Sequence, residues 1–448
     1  MFELIAFSEI DNNAVSAYCA VNDIAPCKNF GDIHNVSKAT ISDNIDLLVG
    51  GTPCQDFSTA GQGAGCMYCC DNCRYSFNPL TISQRNRNNC PLCGKRIENK
   101  TRSSLLLEYL RIVHDIKPKF FIWENVLSVC THKKYRTTFD LFLSELKSYG
   151  YNIYIHKTNA IDYGIPQHRQ RIFILGIQTV FDTGTVTLTN KGYRNIAISD
   201  ILQSSHKISD NLWLSDEGIS DNDIIQRIYN PCTRQKVLSV YNKVGYLPQV
   251  FALRNSADLQ RIPCITTNSN SPSGDGAIII KQQNRIRKIS ALECFLAMGF
   301  NVIDYEKIQQ LNLSDRVVRQ FAGNSIVTDV LVALFRDLYN SQPHLFSNNL
   351  KVLSVCSGIG AFEYALKQFY NDYYNYTTKQ NSEFKYTAEN CLLQFSDMIL
   401  TTDVCTILGV HRNTLHNLIL QNKLNRAILN NKHYISKSSL IAYLNNTY

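Results

Sequence analysis

Apolar and polar positions alternate along the first 177 residues in blocks that read as strand, turn and helix. "FELIAFSEID" (2–11) is an apolar run ending in acidic residues and predicts a strand, "NAVSAYCAV" (13–21) has helical spacing, and "DLLVGGTPCQDFS" (46–58) is a second buried strand giving way to a turn. The alternation returns in "SLLLEYLRIVHDIKPKFFIWENV" (104–126) and "YNIYIHKTNAIDYGIPQHRQRIFILGI" (151–177). Strands and helices in this order predict an α/β, doubly wound sheet whose open strand ends receive ligands.

From 178 to 285 the periodicity breaks into polar stretches such as "TTNSNSPSGDGA" (266–277), which predicts a separate small domain with long loops. Helical spacing resumes in "KISALECFLAMGF" (288–300) and "SDRVVRQFAGNSIVTDVLVALFRDLY" (314–339). The linker "NSQPHLFSNN" then leads to "VLSVCSGIGAFEYAL" (352–366), an apolar strand, a glycine-rich turn and a helix. Such a turn usually opens a nucleotide-binding domain, and here it comes late. Residues from 381 onward stand apart.

Composition narrows the class only a little. The 448 residues, 44% of them hydrophobic, suit a folded chain of two or three domains. A net charge of +8 permits a polyanionic partner without requiring one, because charged residues make up 18% and form no long block. No apolar run approaches the ~20 residues that span a bilayer, and "MFELIAFSEIDNN" lacks the basic start and cleavage site of a signal peptide. A cytoplasmic chain without a membrane partner is expected, and in that reducing setting the 16 cysteines are expected as thiols or metal ligands.

Three short segments carry candidate chemistry. Pro53-Cys54-Gln55 stands where a strand gives way to a loop, a position that suits a thiolate nucleophile, although a bare PCQ also fits a buried structural cysteine. Glu124-Asn125-Val126 puts a carboxylate at the end of the "FFIW" strand, and "PQHRQRIFILG" places Gln167, Arg169 and Arg171 on one face of an incoming strand. A thiolate, a carboxylic acid and paired arginines at one sheet edge suit attack on an electron-poor ring held by hydrogen bonds.

Six cysteines crowd one insertion. Cys70-x2-Cys73, 16 residues and Cys90-x2-Cys93 form a tetrathiolate zinc pattern, with the inner four preferred and Cys66 and Cys69 leaving other ligand sets open. The expected role is structural, with Arg74, Arg85 and Arg87 as a candidate DNA clamp. In the tail, Val404, Leu408, Leu415, Leu418 and Ile419 fall at helical spacing around Gly409-Val410, followed by a hairpin at "NNKHY" and a helix begun by Ser436. This predicts a winged helix-turn-helix resembling excisionase-like DNA-binding modules, with His411, Arg412, Asn413 and His416 on the recognition helix; a partner-binding tail is the alternative.

In this order, GTPCQDFS, ENV, YGIPQHRQR, RKISALECFLAMGF and GNS closely resemble the cytosine-C5 DNA methyltransferases, over roughly residues 1–366. The resemblance implies a Rossmann-like S-adenosylmethionine-dependent fold and methyl transfer to C5 of a flipped cytosine in double-stranded DNA. Residue by residue it implies Cys54 as the nucleophile at C6, Glu124 at N3, Arg171 on the cytosine carbonyl, and Arg169 and Gln167 supporting the loop. Glu9 and Asp32, with Ile10, Ile33, Pro53, Leu105, Asn324 and Ser325, are implied for the cofactor, and Arg287 and Glu293 for support of the recognition domain.

The chain thus begins at the family's second motif. "SVCSGIGAFEYAL" resembles the missing first one, supplying Ser357, Gly358, Ile359 and Gly360, with Cys356 in place of the usual aromatic and Ala361 in place of the last glycine. A circular permutation is inferred, with Gly358 expected in space beside Glu9. The expected organisation is a catalytic domain at 1–177 with the zinc insertion at 64–98, target recognition at 178–285, the rest of the catalytic domain at 286–380 including 351–366, and the DNA-binding tail at 381–448. A monomer of restriction-modification, phage or orphan type is implied, which admits a cognate restriction endonuclease in the same system. A weak DNA-binding regulator and a tRNA cytosine-5 methyltransferase are the competing readings.

Overall fold

The computed structural model describes the chain except residues 1, 42, 54–56, 58–65, 99–104, 190–191, 193, 215–219, most of 221–249, 253–260, 268–277, 283–284, 347–348, 375–397, 409, 411, 421–422, 430–431 and 448. Two compact units result, Met1–Gln368 and Phe369–Tyr448.

The first unit is organised around a six-stranded sheet. Its strands are β1 (Glu3–Ser8), β2 (Leu47–Gly50), β3 (Phe120–Val126), β4 (Tyr151–Asn159), β5 (Gln170–Gln178) and β6 (Lys351–Val355), in the spatial order β1-β6-β2-β3-β5-β4. β6, from the far end of the sequence, pairs in parallel with β1 on one side and β2 on the other. β2 and β3 are also parallel, whereas β5 runs antiparallel to both β3 and β4. The segment 151–177 is therefore an antiparallel pair turned by Ala160–Tyr163, not a strand followed by a helix. Leu47, Leu48, Val49 and Phe120 to Trp123 are buried, as expected of central parallel strands that are apolar on both faces.

Helices α1 (Asn12–Asn22), α2 (Leu105–Ile116), α3 (Lys133–Ser148), α4 (Asp315–Asn324), α5 (Thr328–Ser341) and α6 (Ala361–Phe369) complete the described core of the fold. Asp11 caps α1 by accepting from the Asn13 and Ala14 amides. Asn301 caps the short helix Val302–Gln309 by accepting from Asp304 N–H at 2.9 Å. By length and composition alone 315–341 is apolar enough to cross a membrane. It is broken at Ser325–Val327, and Val318, Phe321, Leu331, Phe335 and Leu338 are buried in the fold.

The second unit contains a strand Met398–Leu400, helices α7 (Thr401–Leu408) and α8 (Arg412–Leu420), a hairpin of Arg426–Leu429 with Lys432–Ser436, and α9 (Lys437–Thr447). Val404, Leu408, Leu415, Leu424, Ile435, Leu440 and Leu444 close a small core of its own. The strand at 398–400, absent from the sequence reading, pairs with the second hairpin strand and makes a three-stranded sheet.

Candidate active site

Because β1 and β6 are parallel neighbours, their C-terminal ends emerge together. The turn after β6 takes left-handed backbone angles at Cys356 (φ 51°), Gly358 (φ 56°) and Gly360 (φ 78°). At Gly360 a Cβ would lie 2.3 Å from Asn22 Nδ2 and 2.7 Å from the Tyr18 ring, so only glycine fits. Gly358 N–H donates to Glu9 Oε2 at 2.8 Å, while Glu9 Oε1 accepts from the Ile10 and Asp11 amides, both at 3.0 Å. Ser357 N–H donates to Ser8 O at 3.1 Å. One carboxylate thus joins two turns that lie 349 positions apart in sequence. Burial lifts the Glu9 carboxyl above its ordinary range, and the amides that donate to it oppose that rise. Asp32 accepts from His34 N–H at 2.9 Å and meets His34 Nδ1 at 2.6 Å; the amide first, and the ring after it, hold its carboxyl below the usual range.

The other end of the cleft is built from side chains. Glu124 sits near the end of β3, buried, with Arg171 Nε at 2.9 Å from its Oε1. Burial raises the Glu124 carboxyl despite the nearby Arg171 and Arg169 guanidinium groups, which favours the protonated acid. Gly51 makes room for it, since a Cβ there would stand 3.0 Å from Glu124 Oε2. Asn125 Nδ2 donates to Thr52 O at 2.9 Å and Trp123 Nε1 to Thr52 Oγ1 at 3.3 Å, which pins the approach to Pro53. Cys54 itself lies outside the described residues. Just beyond it, Phe57 is buried and its carbonyl accepts from Ser128 Oγ at 2.5 Å.

The arginine motif divides. Arg171 is on β5, while Arg169 precedes the strand and donates to Ile265 O at 2.7 Å, Gly323 O at 3.0 Å and Ser325 O at 2.5 Å. It ties the loop after α4 to the segment at 265. Gln167 does not share their face, contrary to the sequence expectation. It is fully buried, donating to Ala297 O at 2.7 Å and accepting from Ile265 N–H at 3.0 Å, because the chain enters β5 only at Gln170 and strand alternation does not extend back to it.

These groups face one cleft of about 480 Å³, lined by Glu9, Ile10, Asp32, Ile33, Pro53, Leu105, Glu124, Arg169, Arg171, Asn324, Ser325, Ser357, Gly358 and Ile359, among others. Gly360 acts from below, through packing. Phe321, Phe362 and Val126 also line the cleft and were not singled out in sequence; their apolar runs gave no sign that one face would stay open. Ile10 is 72% exposed at its rim, an apolar surface suited to cover by a flat ring, and nothing lies within 4 Å of a Cβ placed on Gly358. The residues therefore fit a cofactor with a planar ring, ribose hydroxyls for Glu9 and a chain running over the turn.

The insertion forms two similar knuckles. Arg74 N–H donates to Cys70 O at 2.8 Å and Gly94 N–H to Cys90 O at 2.9 Å, with left-handed φ of 60° and 71° at Arg74 and Gly94. The Sγ atoms of Cys70, Cys73, Cys90 and Cys93 all lie within 4.8 Å of one another. Tetrahedral zinc with Zn–S of about 2.3 Å needs separations of roughly 3.8 Å, so the donor set fits. The Tyr75 and Lys95 amides donate to the Cys73 and Cys93 sulfurs. Cys66 is buried in the adjoining core and Cys69 is exposed; neither joins the four. Arg87 is not a free basic side chain. It is buried and bonded through both terminal nitrogens to Glu145, at 2.8 and 2.5 Å, which removes it from the expected DNA clamp. Arg287 and Glu293 form a fully buried, bidentate ion pair, with hydrogen bonds of 2.8 and 2.7 Å, under the segment that begins at Ser290. In the tail, His416 is exposed on α8; Arg412 and Asn413 are in the same helix, and His411 lies outside the described residues.

Sheet, turn and cleft have the α/β methyltransferase fold: the crystal structure of S. pombe Dnmt2 methyltransferase superposes with a TM-score of 0.50 at 16% identity, covering 77% of this chain and 92% of that one. A family model for C-5 cytosine-specific DNA methylase matches residues 1–68 and 92–340, and the chain belongs to that family. A helix-turn-helix domain model matches 401–448. The chain is 25% identical over 413 residues to orphan methyltransferase M.SPBetaI of Bacillus phage SPbeta, covering 76% of this chain and 93% of the relative. It is 28% identical over 315 residues to type II methyltransferase M2.ScrFI of Lactococcus lactis subsp. cremoris, covering 70% and 72%. The knuckle segment 69–91 and the turn after β6 both fall outside the matched family segments.

Proposed function

We propose that the chain is an active DNA (cytosine-5-)-methyltransferase, working on duplex DNA in a bacterial or phage-infected cytoplasm, alone or beside a cognate endonuclease. One observation carries the reading: the buried Glu124 with its Arg171 partner opens into the same cleft as the Glu9–Gly358 turn. The Cys54 sulfur would bond to C6 of a flipped cytosine while Glu124 donates its proton to, or hydrogen-bonds, N3, so charge does not build on the ring. Arg171 would hold the ring carbonyl, and Arg169 would brace the surrounding loops. S-adenosylmethionine, the cofactor of this family, supplies an activated methyl group to C5. Loss of the C5 proton then breaks the S–C6 bond and frees Cys54.

Glu9, Asp32, Ser357 to Gly360, Asn324 and Ser325 are the proposed cofactor contacts. The placement of β6 between β1 and β2 supports reading the late glycine turn as the family's displaced first motif, and hence a circular permutation. The four inner cysteines are proposed to hold structural Zn²⁺, and the second unit to bind DNA through α8. Transfer of labelled methyl groups from S-adenosylmethionine to duplex DNA, but not to tRNA, by a monomeric chain with about one zinc would support the activity and the zinc reading. Transfer to tRNA alone would replace the DNA reading.

A further inference from the structure

The knuckle module is held to the catalytic unit by a contact that a metal site alone does not require. Arg87 donates from Nε to Pro79 O and Ile82 O, both at 3.2 Å, and from its two terminal nitrogens to the Glu145 carboxylate on α3. Glu145 also accepts from Tyr149 O–H. Seven residues back along α3, Thr138 Oγ1 accepts from Asn78 Nδ2 at 2.9 Å. One further turn back, Tyr135 packs edge-on against Phe57, with ring centroids 5.4 Å apart and planes at 89°. Phe57 follows Cys54 by three residues. Phe57 thus rests on α3, and the module that begins at Cys66 is fastened to the same helix. Cys66, Tyr68, Phe77 and Leu80 share a continuous apolar cluster with Phe139 and Phe142 of α3.

We infer that Arg87 and Glu145 are positioning residues for methyl transfer: the pair sets where the knuckle module sits on α3, and through that helix it holds Phe57, three residues beyond the proposed nucleophile. This rests on Cys54 as the nucleophile. A reacting sulfur needs placement within a fraction of an ångström, and small displacements made far from the chemistry lower rates steeply. The contact lies outside the cofactor cleft, so the effect belongs to the chemical step and not to cofactor binding.

The test compares full-length Glu145→Gln, Arg87→Lys and the apolar double variant Arg87→Met with Glu145→Leu. Zinc per chain, cofactor affinity by calorimetry, DNA affinity and the single-turnover methyl-transfer rate at saturating DNA are measured for each. The expected result is a rate lower by about tenfold, with cofactor and DNA affinities held within about twofold and zinc content equal to that of the parent chain. Folded variants with an unchanged rate would overturn the inference, and so would weaker DNA binding at an unchanged saturated rate, which would make the module a DNA contact. Should the paired variants not fold, Tyr149→Phe leaves the ion pair in place and is expected to lower the rate by roughly two- to threefold; an unchanged rate there counts against the inference. A parent chain without zinc would sink the metal reading alone, and a Cys54→Ser variant that still transfers methyl groups would sink the nucleophile reading alone.

Discussion

The two ends of the cleft are built from different materials. At the cofactor end the polar contacts are backbone amides converging on Glu9, with left-handed turns at Gly358 and Gly360. At the base end they are guanidinium and carboxyl groups, Arg171 on Glu124 and Arg169 on three carbonyls. An end made of backbone tolerates changes of side chain as long as the turn keeps its angles. An end made of charged side chains has no such tolerance, because each buried charge answers for its partner.

Substitutions at the base end should therefore cost the most. Glu124→Gln or Arg171→Ala is expected to lower the single-turnover rate on the order of 10²–10⁴-fold while calorimetric cofactor affinity changes little. A comparable loss of cofactor affinity would erase the distinction between the ends. At the cofactor end, backbone shape should matter more than charge: Gly360→Ala puts a methyl group against Asn22 and Tyr18 at 2.3 and 2.7 Å and is expected to weaken cofactor binding at least about tenfold. Glu9→Gln leaves an acceptor for the Ile10 and Asp11 amides but turns an amide N–H toward Gly358 N–H. A smaller loss, roughly fivefold in affinity, is expected.

The smallest effect lies beneath the turn. Glu363 of α6 is 1% exposed, and burial pushes its carboxyl above the ordinary range against the partial relief of the Ser354 and Tyr18 hydroxyls. The folded chain holds that proton to higher pH than the unfolded chain, so stability is greatest on the acid side and is lost as pH rises through the raised value. Glu363→Gln removes that loss. It should stabilise the first unit on the order of 1 kcal/mol at pH 8 and have little effect at pH 4 in denaturant melts. Equal melts at both pH values would show that the carboxyl is satisfied where it stands.

Much of the cleft was legible because its parts lie at strand ends, and strand ends announce themselves. The apolar runs 2–8, 46–50 and 120–123 each stop at a polar or glycine residue, and that is where Glu9, Pro53 and Glu124 stand. The missing glycine turn before "FSEID" and the spare one at 356–360 suggested their adjacency, and the structure puts Gly358 N–H 2.8 Å from Glu9. What sequence could not give is direction and partnership. The run 151–177 reads as strand and helix in alternation, yet its two halves pair as antiparallel strands. Strand alternation puts Gln167 with the arginines, but the strand starts only three residues later. Arg87 was read as a free charge because its partner lies 58 residues away on another element.

The most direct test of the whole account maps 5-methylcytosine by bisulfite or long-read sequencing in DNA from a host expressing the full chain or its Cys54→Ser variant. The account predicts 5-methylcytosine at a defined sequence with the parent chain and none above background with Cys54→Ser. Equal methylation in both hosts, or none in either, would contradict it, and the second result would favour a DNA-binding regulator built on the methyltransferase fold.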